Sequence, residues 1–151
     1  MVIEESILIL SPLEKVWNIF TDLTCWSKWN TVLEDVSSES LRIKEGGRLR
    51  FCIRPFVIHV SFEPVIEEVV HHKKITWRGE IFGITARHEY IFQETVQGVS
   101  VTSRETFSGS PVALTGILFS KHRLKELTVM HLKDLKKAAE SIKDNGTKSW
   151  T

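Results

Sequence analysis

No run of apolar residues in this chain approaches the roughly 20 that a membrane-spanning helix requires. The apolar stretch near the start, Ile7 to Leu10, is also too short for a secretory signal and lacks the basic flank of one. A cytoplasmic, intracellular protein is therefore expected. Cysteine is scarce. Cys25 and Cys52 are the only two, and their spacing fits neither a zinc site nor a redox pair, so free thiols are expected. Neither sign of charge is in excess. With 20 basic and 19 acidic residues the net charge is +1, which gives no electrostatic case for nucleic acid or an anionic membrane. Basic and aromatic residues do not alternate as they do in single-strand binders. There is no phosphate loop, no nucleophile elbow and no His-Glu-x-x-His, so neither a cofactor nor a metal is expected.

What is present is an ordinary globular composition: 151 residues, 42% hydrophobic and 26% charged. Without repeats or linkers, residues 1–144 read as a single domain and 145–151, with Trp150, as a polar tail. Val2 to Leu10 reads as a strand. Ser11-Pro12-Leu13-Glu14 is a helix start, with Ser11 as cap, Pro12 at the first helical position and Glu14 closing a capping box. A helix through Val16, Trp17, Ile19 and Phe20 follows. Thr24 is placed to cap a second short helix through Cys25, Trp26 and Trp29.

From Val32 to Ser108 the period becomes two. Val32 to Ile43 reads as a strand that turns at Glu45-Gly46-Gly47. Leu49, Phe51 and Ile53 then alternate with Arg48, Arg50 and Arg54, giving one apolar and one solvated face. Val57 to Val70 reads as one long strand with a bulge near Pro64. After the polar turn at His71 to Lys74, a strand opens with Ile75 and Trp77, breaks at Gly83 and is followed by another from Thr85 to Val96. A two-residue turn at Gln97-Gly98 leads into Val99 to Ser108. Ser110-Pro111 starts a last helix that runs to about Lys143, where Asn145-Gly146 stops it. It is about 30 residues long, or about 45 Å. Its inner stripe is Ile117, Leu124, Thr128, His131, Leu135, Ala138 and Ile142, opposite Lys125, Lys133, Lys136, Lys137 and Lys143.

The expected fold is thus α+β: a curved antiparallel sheet of about seven strands wrapped around a long C-terminal helix, with two short helices after the first strand. A strongly curled sheet leaves its concave side incompletely filled by the helix, and such a cavity suits an apolar ligand.

This order of elements, together with Ser11-Pro12 and Val16-Trp17, then Asp22 with Trp26 and Trp29, resembles the START/SRPBCC superfamily and its helix-grip fold. Ile75-Thr76-Trp77-Arg78-Gly79, His88, Phe92 and Glu105-Thr106-Phe107-Ser108-Gly109 resemble its last three strands, and Leu135-Lys136 with Glu140 the end of its last helix. The nearest likeness is to the polyketide cyclase/dehydrase-like group, and it covers essentially the whole chain. The resemblance implies a fold and a hydrophobic pocket. It does not imply one activity, because such domains bind lipids, hormones or polyketides and some regulate other proteins.

In the last hairpin, a turn at Gln97-Gly98 would set Phe92 opposite Ser103, Tyr90 opposite Glu105 and His88 opposite Phe107, all on one face. The phenylalanines make that face the concave one, so His88, Tyr90 and Glu105 form a polar cluster in an apolar wall. A carboxylate there needs partners. Glu105 with His88 or Tyr90 is either an acid/base pair for enolisation, cyclisation or dehydration of a carbonyl compound, or a hydrogen-bonded knot that orients strands and the ligand's polar end. The expected ligand-lining residues are Phe51, Ile53, Trp77, His88, Tyr90, Phe92, Ser103, Glu105, Phe107, Leu124, Thr128 and His131. His131 stands where the similar family usually has an apolar residue, and reads either as a ligand contact or as a packed histidine with one partner. Trp26 and Trp29 read as core or as the lining of the groove mouth.

Three functions follow in order. The first is binding of a small hydrophobic or amphipathic molecule, lipid or polyketide-like. The second is a cyclase/dehydrase-type enzyme. The third, on fold analogy alone, is regulation of a protein partner. A monomer or weak homodimer is expected, with the edge strand Val2 to Leu10 either covered or paired.

Overall fold

The computed structural model describes residues 1–54 and 59–141, with backbone alone at 117–119. The readings placed on Val57, the Ile117 side chain, Ile142, Lys143, Asn145-Gly146, Trp150 and the tail boundary lie outside the described residues.

Strand β1 (Val2–Ile9) leads into helix α1 (Leu13–Thr21), a 3₁₀ turn (Leu23–Cys25) and helix α2 (Trp26–Trp29). Seven strands follow: β2 (Glu34–Ser38), β3 (Leu49–Ile53), β4 (Val60–Phe62), β5 (Val65–Val70), β6 (Lys74–Ile81), β7 (Ile84–Glu94) and β8 (Val99–Gly109). Helix α3 (Pro111–Glu140) completes the order. The strands pair antiparallel as β1-β8-β7-β6-β5 and β2-β3-β4.

Two sheets replace the single expected one because the long strand read across Pro64 is broken there. Proline has no N–H to give a ladder. β4 pairs with β3, while β5 pairs with β6. The sheets stay joined beside the break: the Leu49 amide donates to the Pro64 carbonyl (3.0 Å) and the Ile66 amide to that of Gly47 (2.8 Å). Gly46, at φ 78°, does make a turn, but it does not close a hairpin. β2 ends at Ser38, and the chain from Leu41 to Ile43 instead bonds to the end of α1 and the start of the 3₁₀ turn, through Ile43 N to Thr21 O and Leu23 N to Leu41 O.

The helix starts divide. Ser110 caps α3, its side chain accepting from the Ala113 amide, and Pro111 opens the helix as expected. At α1 the cap position belongs to Pro12, and the buried Ser11 hydroxyl has no hydrogen-bond partner. Asp22, rather than Thr24, caps the turn that leads into α2, accepting from the Thr24 amide.

The core has two parts. Around the last turns of α3, Leu132, Leu135 and Ala139 pack against Trp17, Phe20, Trp26 and Phe92. Around its first half, Leu124 and Leu127 meet Ile84, Ala86, Phe107 and Val32. Along the second cluster the sheet and helix part, and its residues face open space.

Candidate functional site

The inward face of β7 reads Ile84, Ala86, His88, Tyr90 and Phe92, and that of β8 reads Val99, Val101, Ser103, Glu105 and Phe107. Strand periodicity aims all of them at the concave side. Beneath the first half of α3, Ile84 to Tyr90 of the one and Ser103 to Phe107 of the other bound a cavity of about 560 Å³. Phe51 and Ile53 from β3, Trp77 from β6, and His88, Tyr90, Ser103, Glu105 and Phe107 from β7 and β8 line it. Leu124, Thr128 and His131 face them from the helix. The exposed members, Phe82 and Val112, place the mouth between the β6–β7 turn and the start of α3. Buried Trp77, Tyr90, Ser103 and His131 form the inner end.

Phe92 departs from the expectation. It lies past the inner end of the cavity and packs on Trp17 (ring centroids 5.0 Å) and Phe20 (5.5 Å). Trp26 and Trp29 are not at the mouth: Trp26 is wholly buried, donating Nε1–H to the Phe20 carbonyl. Sequence reasoning passed over Ile84 and Ala86, which period two from His88 would have named, and Leu127, which sits three residues from Leu124 on the same helical face.

The hairpin register also differs. The turn is four residues, 95–98, with Glu94 opposite Val99. The Thr95 hydroxyl oxygen accepts from the amides of Gln97 (3.2 Å) and Gly98 (3.1 Å), which stabilises the longer loop. A shift of two residues keeps every side chain on its face and changes only its partner. Glu105 therefore stands opposite His88, and Ser103 opposite Tyr90.

A directional chain results. His88 Nδ1 is 2.9 Å from Glu105 Oε2. A carboxylate accepts, so Nδ1 carries hydrogen. His88 Nε2 meets the Ser103 hydroxyl at 2.6 Å, and in the neutral ring it accepts that hydroxyl's hydrogen. Tyr90 hydrogen-bonds Ser103 in turn, and its ring stacks on His88 with centroids 4.2 Å apart. Burial, and then the charge of Glu105, push the Tyr90 hydroxyl well above its ordinary pKa, against the opposing effect of the Ser103 bond. Tyr90 stays a phenol. Glu105 is the most exposed member, its side chain 23% accessible, and it faces the cavity.

His131 stands apart from this chain. The Asn30 Oδ1, which also accepts from the Val32 and Leu33 amides, lies 3.2 Å from its Nδ1. Thr31 ties the same loop to α3 through Asp134 Oδ2, with 2.8 Å from its amide and 2.7 Å from its hydroxyl. Burial, then the nearby His88, push His131 down to about 3. Among the described residues no three His, Cys, Asp or Glu side chains gather as a metal site. No described helix is long and apolar enough to cross a membrane.

The sequence matches the family described as polyketide cyclase / dehydrase and lipid transport over residues 1–140. Among solved structures, a protein of Thermus thermophilus superposes with TM-score 0.79 at 15% identity, covering 95% of this chain and 99% of that one. The di-domain ARO/CYC BexL of the BE-7585A biosynthetic pathway gives 0.76 at 16% identity, over 93% of this chain and 50% of that one. The di-domain ARO/CYC StfQ of the steffimycin pathway gives 0.78 at 14%, over 97% and 53%. The chain thus spans about half the length of each two-domain protein. At such identities the likeness is one of fold, and the fold is helix-grip. No curated protein matches the sequence.

Proposed function

The chain belongs to the polyketide cyclase / dehydrase and lipid transport family, and from that premise we propose that its cavity takes up one small apolar or amphipathic molecule, lipid or polyketide-like, held between sheet and α3. The cavity itself carries this reading. Its volume of about 560 Å³ lies within the usual range of ligand sites, roughly 300–1,000 Å³, and a few convergent polar groups in an apolar wall are what fixes a ligand's orientation. Here those groups are His88, Tyr90, Ser103, Glu105 and His131, set towards the inner end, so the polar part of the ligand enters first.

A second reading rests on the Tyr90–Ser103–His88–Glu105 chain. A carbonyl compound seated against Glu105 would give it the proton of the adjacent carbon. The C–H electron pair would pass to the carbonyl oxygen as an enolate, while His88, held by Ser103, would keep the carboxylate in place. Glu105, His88 and Tyr90 are the candidate catalytic residues of this cyclase/dehydrase reading.

One titration addresses both. N-phenyl-1-naphthylamine, uncharged and apolar, should show a saturable rise in fluorescence at one site per chain. A linear, unsaturable response would sink the binding reading. If the protein also turns over an aromatic polyketone, Glu105→Gln should bind the probe as before and lose turnover; equal turnover in both forms would leave binding alone.

A further inference from the structure

Glu105 is the one acidic side chain among the described residues that line the cavity, and no described lysine or arginine lines it. The topology of the sheet aims it there. β8 runs between β1 and β7, with Glu105 opposite Ile3 on one side and His88 on the other, so an inward side chain at this point has only the concave side open. The Glu105 side chain keeps 23% of its surface accessible, against 11% for His88. It stands four residues from Gly109 at the mouth end of β8, about 13 Å at the rise of a strand. Ile84, Ala86 and Phe107 line the way in.

A carboxylate in an apolar wall is costly unless its oxygens find partners. His88 Nδ1 holds Oε2 at 2.9 Å. Oε1 has no hydrogen bond from any described residue. The hydroxyls of the wall are engaged elsewhere. Those of Thr128 and Ser120 donate to the Leu124 and Gly116 carbonyls of their own helix, at 3.0 and 3.2 Å. Ser103 is shared by His88 and Tyr90. His131, pushed down to about 3 by burial and then by His88, brings no positive charge. A ligand carboxylate would therefore meet a like charge with no cationic side chain to offset it. A ligand N–H would meet an open carboxylate oxygen, and hydrogen bonds between charged partners are the strong ones.

We propose that the cavity selects molecules with an apolar body and a hydrogen-bond-donating head, a protonated amine above all, and refuses carboxylic acids, because the head meets Glu105 Oε1. This deepens the ligand-site reading and rests on it.

The test is competition against N-phenyl-1-naphthylamine at pH 7.5 with three probes of one shape: 2-naphthylmethylamine, 2-naphthylmethanol and 2-naphthoate. The amine, protonated at this pH, should bind about a hundredfold more tightly than the naphthoate, with the alcohol between them. In Glu105→Gln that ratio should largely vanish, and the naphthoate should gain most. A measurement on the wild-type protein guards against a variant that folds poorly. The side-chain carboxylate ¹³C resonance of Glu105 should move further with the amine than with 2-methylnaphthalene, which has the same body and no donor. Amine and naphthoate displacing the probe equally from the wild type would overturn the proposal. So would a Glu105→Gln variant that keeps the wild-type ratio, or equal movement of the Glu105 resonance with amine and hydrocarbon. Failure of all three to displace a probe that does bind would do the same. A protein that binds no probe at all would instead remove the ligand-site reading, and this one with it.

Discussion

His131 shows how one side chain can tie stability to acidity. Free in water its imidazole takes a proton near 6.5, whereas in the fold it does so at about 3, first because it is buried and then because His88 is near. Between those values the unfolded chain holds a proton that the folded chain refuses. Unfolding is therefore favoured as the pH falls through this window, and the stability is fully present only above about 6.5. Melting midpoints from about pH 8 to about pH 5, where most carboxylates are still ionised, should fall more steeply for the wild type than for His131→Leu. Parallel curves would mean that His131 accepts its proton without cost. The place of His131 on the inner stripe could be read from helical spacing. Its partner could not, because Asn30 lies 101 residues away and meets it only when α2 docks on α3.

Among the elements, β1 carries an edge that α3 covers at its C-terminal end. It ends its sheet, but α3 lies along it. Lys136 Nζ donates to the Leu8 carbonyl at 2.7 Å, and the Leu10 amide donates to Glu140 at 2.8 Å. The helix thus supplies hydrogen bonds that another strand would otherwise provide. Lys136→Met should leave the Leu8 carbonyl without its cation and lower stability by about 1–2 kcal/mol. Urea midpoints should show that loss, with amide exchange at the end of β1 quickening more than elsewhere. Unchanged exchange there would mean that the edge is held by packing alone. The alternation of β7 and β8, the Ser110-Pro111 start and the long amphipathic stripe made these elements legible in advance, since each follows from a local period or cap. What failed had several causes. The break at Pro64 depends on which strand lies beside it. The hairpin register depends on a threonine hydroxyl bonding the turn, and only that register decides that His88 meets Glu105. Phe92 shares the face of His88 but lies one pair too far along β7, where α1 has filled the space with Trp17 and Phe20.

For the whole molecule, the cavity sets binding against stability. The last turns of α3 pack closely on the sheet, while its first half spans about 560 Å³ of open space. Apolar atoms lining such space forgo the contacts that a filled core would give them. Ala86 is the smallest side chain on the β7 wall; it is 7% exposed and directly opposite Phe107. Its small size keeps the middle of the cavity clear. Ala86→Phe should extend a ring into that space, joining Leu124 and Leu127 across it. Filling it should add about 0.5–2 kcal/mol, or about 2–4 °C in melting midpoint per kcal/mol for a chain of this size. The same change should weaken N-phenyl-1-naphthylamine by at least about tenfold, since ring and ligand compete for one volume. The two readouts must move in opposite directions. A variant that is stabilised yet binds the probe as before would place the ligand elsewhere on the protein. A destabilised variant with intact binding would mean that the wall is already close-packed around Ala86. Only a gain in stability joined to a loss of binding fits a cavity that the fold keeps open for a ligand.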